Sequence, residues 1–378
     1  NERRDVKLYL AANKDLLGIT TGREPLETLF SNTQTETLKA IKASNEYRNA
    51  TVQMRDAADE ISFIFVSLKR LKPILDVLSK REGGAREFDP ETLPIEGVVL
   101  RSSFPKAYLH NIGLSIDPKT AEQREVFTAL GATSRAAGEG SALPQNQAPR
   151  NSAFTLTLDT GFVGQLTSLM QSIKQSSPID VNEHLAKIKN LTLGARSNAV
   201  GSPLPEIFLA INSSNRDQLN TFLETTIGMG MALTGQGANW QTKDVGGVKT
   251  RFITTLVGAG VYIAAPNGKD KAQQNTLLIG SSEGVIADLI SNQEQRGASA
   301  SGPLSAALMS AQLASLQLDF AQVRKMLDST KDSLALVTGG SSELNEVLNA
   351  TKIESWGEAA VGVSYLPGSL LIDAGMGG

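Results

Sequence analysis

Two stretches of the chain match in the order and type of their landmarks, and a repeat, which this predicts, constrains a fold more tightly than any single motif, because both copies must satisfy one architecture. Tyr9-Leu-Ala-Ala12 is followed by a short polar turn, an apolar run and a helix-like stretch ending LETLFSN at 26–32. Tyr262-Ile-Ala-Ala265 is followed by a longer polar loop, the run NTLLIGSS and a helix-like stretch ending IADLISN at 286–292. Downstream of each comes a strand that continues as a helix, ISFIFVSLKRLKPILDVLS from Ile61 and LASLQLDFAQVRKMLDST from Leu313. Two more strands around a proline close each copy: GVVLRSSFPKAYLHNIGLSI from Gly97 and GEAAVGVSYLPGSLLIDAGM from Gly357, with Phe104-Pro105 answering Leu366-Pro367. These landmarks keep one order at residue offsets of 252 to 262, which predicts two related units.

Between the copies lies GATSRAAGEGSALPQNQAPRN, Gly131 to Asn151, whose Gly, Ala, Pro and polar content marks a linker or long surface loop, assigned to 119–150. The second unit is then 151–378. Its opening portion, 151–258, has no counterpart before Asp5, so 1–118 reads as the C-terminal part of a first unit whose N-terminal part is expected to lie upstream.

Local patterns give an α+β fold class, with antiparallel sheets and helices packed on one face. Phe154-Thr-Leu-Thr-Leu158 alternates with period 2, as a half-buried strand does, and Thr160 to Ile173 carries helical spacing. Ile207–Ile211, Val248–Leu256, Gly260–Ala265 and Thr276–Ile279 read as strands, and Asn215–Thr226 as a helix capped by Ser213, Ser214 or Asn215. Short connections between consecutive strands imply antiparallel pairing.

Composition removes whole classes of function. Among 378 residues, 40% hydrophobic content supports a large core and excludes wholesale disorder. A net charge of -3, from 36 Lys and Arg against 39 Asp and Glu, argues against a nucleic-acid partner, which needs clustered cations on phosphates. With no cysteine there is no disulfide framework, thiolate metal site or cysteine nucleophile, and only His110 and His184 are left for imidazole chemistry.

The sharpest motif is Gly280-Ser281-Ser282-Glu283-Gly284, a G-x-S-x-G placed after a strand and before a helix, as in a nucleophile elbow. Both histidines precede Ser282, and Gly22 stands at the matching position of the first copy. A helix cap is therefore the expected role of Ser282, with a serine hydrolase as the alternative. The glycine pairs Gly228/Gly230, Gly235/Gly237 and Gly258/Gly260 complete no phosphate-loop pattern and read as turns. His110 falls in a strand-like AYLHNIGL and His184 on a short polar helix, and no metal-ligand spacing occurs. The pairs Lys69-Arg70 and Lys80-Arg81 read as solvated helix faces. No catalytic, cofactor-binding or metal-ligating residue is assigned, and no cofactor is expected.

The longest uncharged apolar run, Phe252 to Ala265, is too short for a membrane span and is rich in Thr and Gly. The N-terminal NERRDVKLYLAANK lacks the order of a signal peptide, so either the protein is cytoplasmic or a targeting segment has been removed.

The order strand, helix, several strands with Tyr-hydrophobic-Ala-Ala, then NTLLIGSSEGVIADLIS and LQLDFAQVRKML, resembles bacterial proteins of domain-of-unknown-function family 3352. The similarity covers most of 151–378 and recurs in 5–117. It implies a periplasmic or otherwise extracytoplasmic envelope protein, made with an upstream signal or anchor and without established activity. The expectation is a non-enzymatic envelope protein that serves as a scaffold or assembly factor or binds a lipid or other apolar ligand. Its partners are then an envelope protein or that ligand, together with another chain paired to the free sheet edge of the first unit.

Overall fold

The computed structural model describes residues 9–12, 17–20, 39, 41–54, 60–68, 93–103, 108–136, 148–149, 151–159, 187–198, 204–233, 239–254, 260–267, 274–294, 311–338, 346 and 349–377. The fold is mixed α and β, built on antiparallel pairing. Strands β1 (Tyr9–Ala12) and β2 (Leu17–Thr20) form a hairpin of their own. Thirteen further strands among the described residues form one sheet. In chain order they are β3 (Glu60–Ser67), β4 (Ile95–Ser103), β5 (Tyr108–Ile116), β6 (Ser152–Asp159), β7 (Ile188–Arg196), β8 (Glu206–Ser213), β9 (Gln241–Val245), β10 (Val248–Thr254), β11 (Gly260–Ala264), β12 (Thr276–Gly280), β13 (Ala314–Asp319), β14 (Glu358–Leu366) and β15 (Ser369–Gly377). Their order across the sheet is β3-β4-β5-β15-β14-β13-β6-β7-β8-β12-β11-β10-β9. Strands from both ends of the chain meet at the β5–β15 pair, where Ile112 lies opposite Ile372. The turn joining β14 to β15 is Pro367-Gly368; Gly368, at φ +84°, takes the left-handed position that a type II turn reserves for glycine.

Among the described residues the α-helices are α1 (Asn45–Thr51), α2 (Ala121–Ala136), α3 (Arg216–Leu233), α4 (Glu283–Glu294) and α5 (Phe320–Thr338). Each starts where a side chain accepts an otherwise unpaired amide proton. Ser44 Oγ takes Tyr47 N at 3.2 Å, Asn215 Oδ1 takes Gln218 N at 3.4 Å, and Asp319 Oδ1 takes Gln322 N at 2.9 Å. At α2 the cap is reciprocal: Gln123 N donates to Thr120 Oγ1 at 3.1 Å and Thr120 N donates to Gln123 Oε1 at 3.3 Å.

Helices cover both faces of the sheet, which corrects the expectation of one covered face. Leu277 and Leu278 are consecutive on β12, so they point to opposite sides, and both are 0% exposed. Leu277 packs with Ile211 and Ile263 beneath Leu219, Phe222, Leu223 and Ile227 of α3. Leu278 packs with Phe208 and Ala210 beneath Val285, Ile286, Leu289 and Ile290 of α4. Each such burial is worth roughly 1.5–3 kcal/mol. The cause is visible in TLLIG, an apolar run without alternation, which suits a strand buried on both sides.

Helix α2 shares the α3 face, since Tyr365 and Leu370 beneath it lie two residues from Val363 and Ile372, which share a row with Leu277. Helix α1 lies on the α4 face, over Val99. The assignment of 119–150 to a linker or loop is corrected over 121–136, where α2 forms and buries Leu130 against Ile116, Leu313 and Tyr365. Val126, Phe127 and Leu130 supply one apolar stripe ahead of Gly131, and the alanines after it sustain the helix.

Candidate functional site

Ser282 is held by the start of α4. Its Oγ accepts Val285 N at 3.2 Å, the N-cap geometry, and donates to Glu206 Oε1 at 2.6 Å. Its neighbour Ser281 ties the end of β12 to β8, with Ile207 N donating to Ser281 Oγ at 2.8 Å. Gly280 is glycine because a Cβ there would press into Val285 and Ile286 as α4 folds back over the strand. The G-x-S-x-G spacing thus follows from a tight strand-to-helix return. Ser282→Ala should lower stability by about 0.5–2 kcal/mol in urea unfolding.

A charged cluster unmarked by any sequence motif surrounds that serine. Arg196, at the end of β7 and 9% exposed, donates through Nε to Glu206 Oε2 at 2.6 Å and through Nη1 to Asp288 on α4. Glu206 is 3% exposed, and its second oxygen takes the Ser282 hydroxyl. Burial by itself would pull the Arg196 pKa down, but the hydrogen bonds it donates to Asp288 and Glu206 more than reverse this and hold the guanidinium charged. The cluster clamps β7, β8 and α4 together, with Ser282 as its fourth member. Sequence separations of 10, 76 and 92 residues hid it.

The α3 face of β6 and its neighbours is apolar and partly exposed. On β6 and β7 the usual polarity is reversed. Thr155, Thr157 and Thr192 point to the α4 face and are buried at 5%, 3% and 0% exposure, with the Thr157 and Thr192 hydroxyls hydrogen-bonded at 3.1 Å. Phe154, Leu156, Leu158, Leu191 and Leu193 point the other way and are partly exposed. Register extends this apolar surface sideways. Leu156 is in line with Leu316, Val361 and Ala374 in one direction and with Leu193 and Leu209 in the other. The next row runs from Met376 through Ala359, Leu318, Phe154 and Ala195 to Ile207; its two ends are 40% and 51% exposed. Partly exposed leucines opposite buried threonines depart from the usual arrangement of a strand with one covered face, and the surface they form is apolar. Beside α2 the same face holds a cleft of about 280 Å³ lined by Pro118, Arg124, Phe127, Thr128, Tyr365 and Pro367. Burial pushes the Tyr365 hydroxyl above its ordinary pKa, an effect partly offset by its hydrogen bond to the Gly368 backbone.

Of the other residues singled out in the sequence, His110 is exposed on β5 and hydrogen-bonds Ser102 across the β4–β5 pair at 2.8 Å. His184, the Thr160–Ile173 helix and the 26–32 helix lie outside the described residues. Among the described residues there is no group of three or more metal-ligating side chains, and no helix is long and apolar enough to cross a membrane.

No family model matches the chain, and no curated protein does. The solved structure of TP0453 in crystal form IV is similar at a TM-score of 0.25 and 9% identity, over 64% of this chain and 95% of that one, a likeness too distant to carry argument.

Proposed function

We propose that this is a non-enzymatic, extracytoplasmic envelope protein that binds a lipid or similar apolar ligand on the α3 face of its sheet. The observation that carries this reading is on β6 and β7, where the leucines are partly exposed while the threonines on the opposite side are buried. From β15 to β8 the surface crosses six strands, about 24 Å at ~4.8 Å per strand, which suits an extended acyl chain.

The chain further reads as two related α+β units. Strands β3-β4-β5 and β13-β14-β15 run outward in mirrored order from the β5–β15 pair. In the two hairpins, Tyr9 pairs with Thr20 and Tyr262 with Gly280, so Thr20 answers Gly280 on the pairing.

The test is transfer of a fluorescent phospholipid from vesicles, with mass spectrometry of an organic extract of the purified protein. The wild type should take up the probe. Leu156→Lys should reduce uptake at least tenfold while the far-ultraviolet spectrum is unchanged. A wild-type protein that neither extracts the probe nor carries lipid would sink the reading.

A further inference from the structure

Among the described residues the sheet ends in β3 on one side and β9 on the other, and the two edges differ in chemistry. Strand β9, QTKDV, is short and places Lys243 and Asp244 on its edge, the kind of charge that discourages strand addition. Strand β3 has no charged residue from Ile61 to Ser67, and Ile64 at its centre is 50% exposed.

Ile64 is the end of a row. From Leu277 on β12, each directly paired residue across the sheet is apolar, through Leu158, Val363, Ile112 and Leu100 to Ile64, where the row stops at solvent. The mirrored strand β13 shows what its position receives: its outer side takes β6 in an antiparallel pair.

We propose that β3 pairs antiparallel with β3 of a second copy of this chain, about a two-fold axis through Ile64. A second copy fits because the uncharged segment is centred on that residue, so self-pairing opposes no like charges between 61 and 67. Such an axis stands perpendicular to the sheet and keeps the α3 faces of both copies on one side. The apolar row then continues from Ile64 to its own counterpart. The proposal stands on the edge and not on the ligand reading.

The absence of cysteine makes a sharp test available. Directly opposed residues in an antiparallel pair hold their Cβ atoms about 4.5–5.5 Å apart, and a small adjustment reaches the disulfide range of roughly 3.5–4.5 Å. Oxidised with copper phenanthroline, Ile64→Cys should become a covalent dimer, and Thr242→Cys on β9 should not. By sedimentation equilibrium the wild type should show twice the chain mass. Ile64→Lys, which brings two charges together at the axis, should show the mass of one chain with an unchanged melting profile. A monomeric wild type, or crosslinking no greater for Ile64→Cys than for Thr242→Cys, would overturn the proposal. Lipid uptake without dimerisation would defeat this inference and leave the ligand reading standing; dimerisation without uptake would do the reverse.

Discussion

Replacing Arg196 with alanine should cost about 3–5 kcal/mol of unfolding free energy, because it leaves the Glu206 carboxylate buried without its cation. The reason is an asymmetry. Forming a buried ion pair yields little net stability, since both charges must leave water, but removing one partner strands the other at full desolvation cost. Glu206 has one oxygen on Arg196 and one on Ser282, so the alanine variant keeps the serine contact and loses the compensating charge. Adding Glu206→Gln to Arg196→Ala should therefore recover part of the loss, because a neutral amide still accepts from Ser282 and no charge is stranded. Urea unfolding of the two single variants and the double variant measures the coupling. If Arg196→Ala falls within about 1 kcal/mol of wild type, the cluster does not hold β7, β8 and α4 together.

Gly113→Ala should be the most damaging one-methyl change in the β4–β5 region, at about 3 kcal/mol, the upper end of ordinary overpacking. Gly113 lies on the α4 face of β5, and a Cβ there would run into the carbonyl of Ala50 in α1, with the Met54 methyl close behind. Backbone cannot rotate away as a side-chain tip can, so α1 must lift. Lifting it uncovers Tyr47, Ala50 and Val99, at 8%, 1% and 0% exposure, and breaks the edge-to-face contact of Tyr47 with Phe65. Amide exchange should accelerate across 45–51 before any change in β10–β12. By contrast, Gly230→Ala has open space around it and should be neutral or slightly stabilising, since alanine is the better helix former. Equal exchange in α1 for wild type and Gly113→Ala would show that α1 is docked less closely than its geometry indicates.

Much of the framework could be read along the chain. The alternation in FTLTL yielded β6, the apolar runs yielded β8, β10, β11 and β12, and Asn215 and Ser282 were recognisable as caps. Tyr9 and Tyr262 each lie in an antiparallel strand pair, with Thr20 and Gly280 opposite them. Helix α2 was misread because its second half is made of small residues whose composition resembles a linker; Val126, Phe127 and Leu130 tie it to the sheet. The charged cluster was invisible, because Arg196, Glu206, Ser282 and Asp288 belong to two strands, a turn and a helix with no local spacing in common.

What the sequence alone determined is local: strand period, helix starts, the proline between β14 and β15, and the absence of thiol chemistry. Those follow from backbone sterics and from hydrogen bonds within a few residues. Only the tertiary structure decided which side of each strand is inside. Alternation in β6 says that threonines and leucines take opposite faces, and ordinary transfer energetics would send the leucines inward. The sheet does otherwise because burial is set by what lands on each face, and the neighbours of β6, namely β7 and β13, begin about 30 and 160 residues further along the chain. The partial exposure of an apolar face is thus a property of the assembled layers.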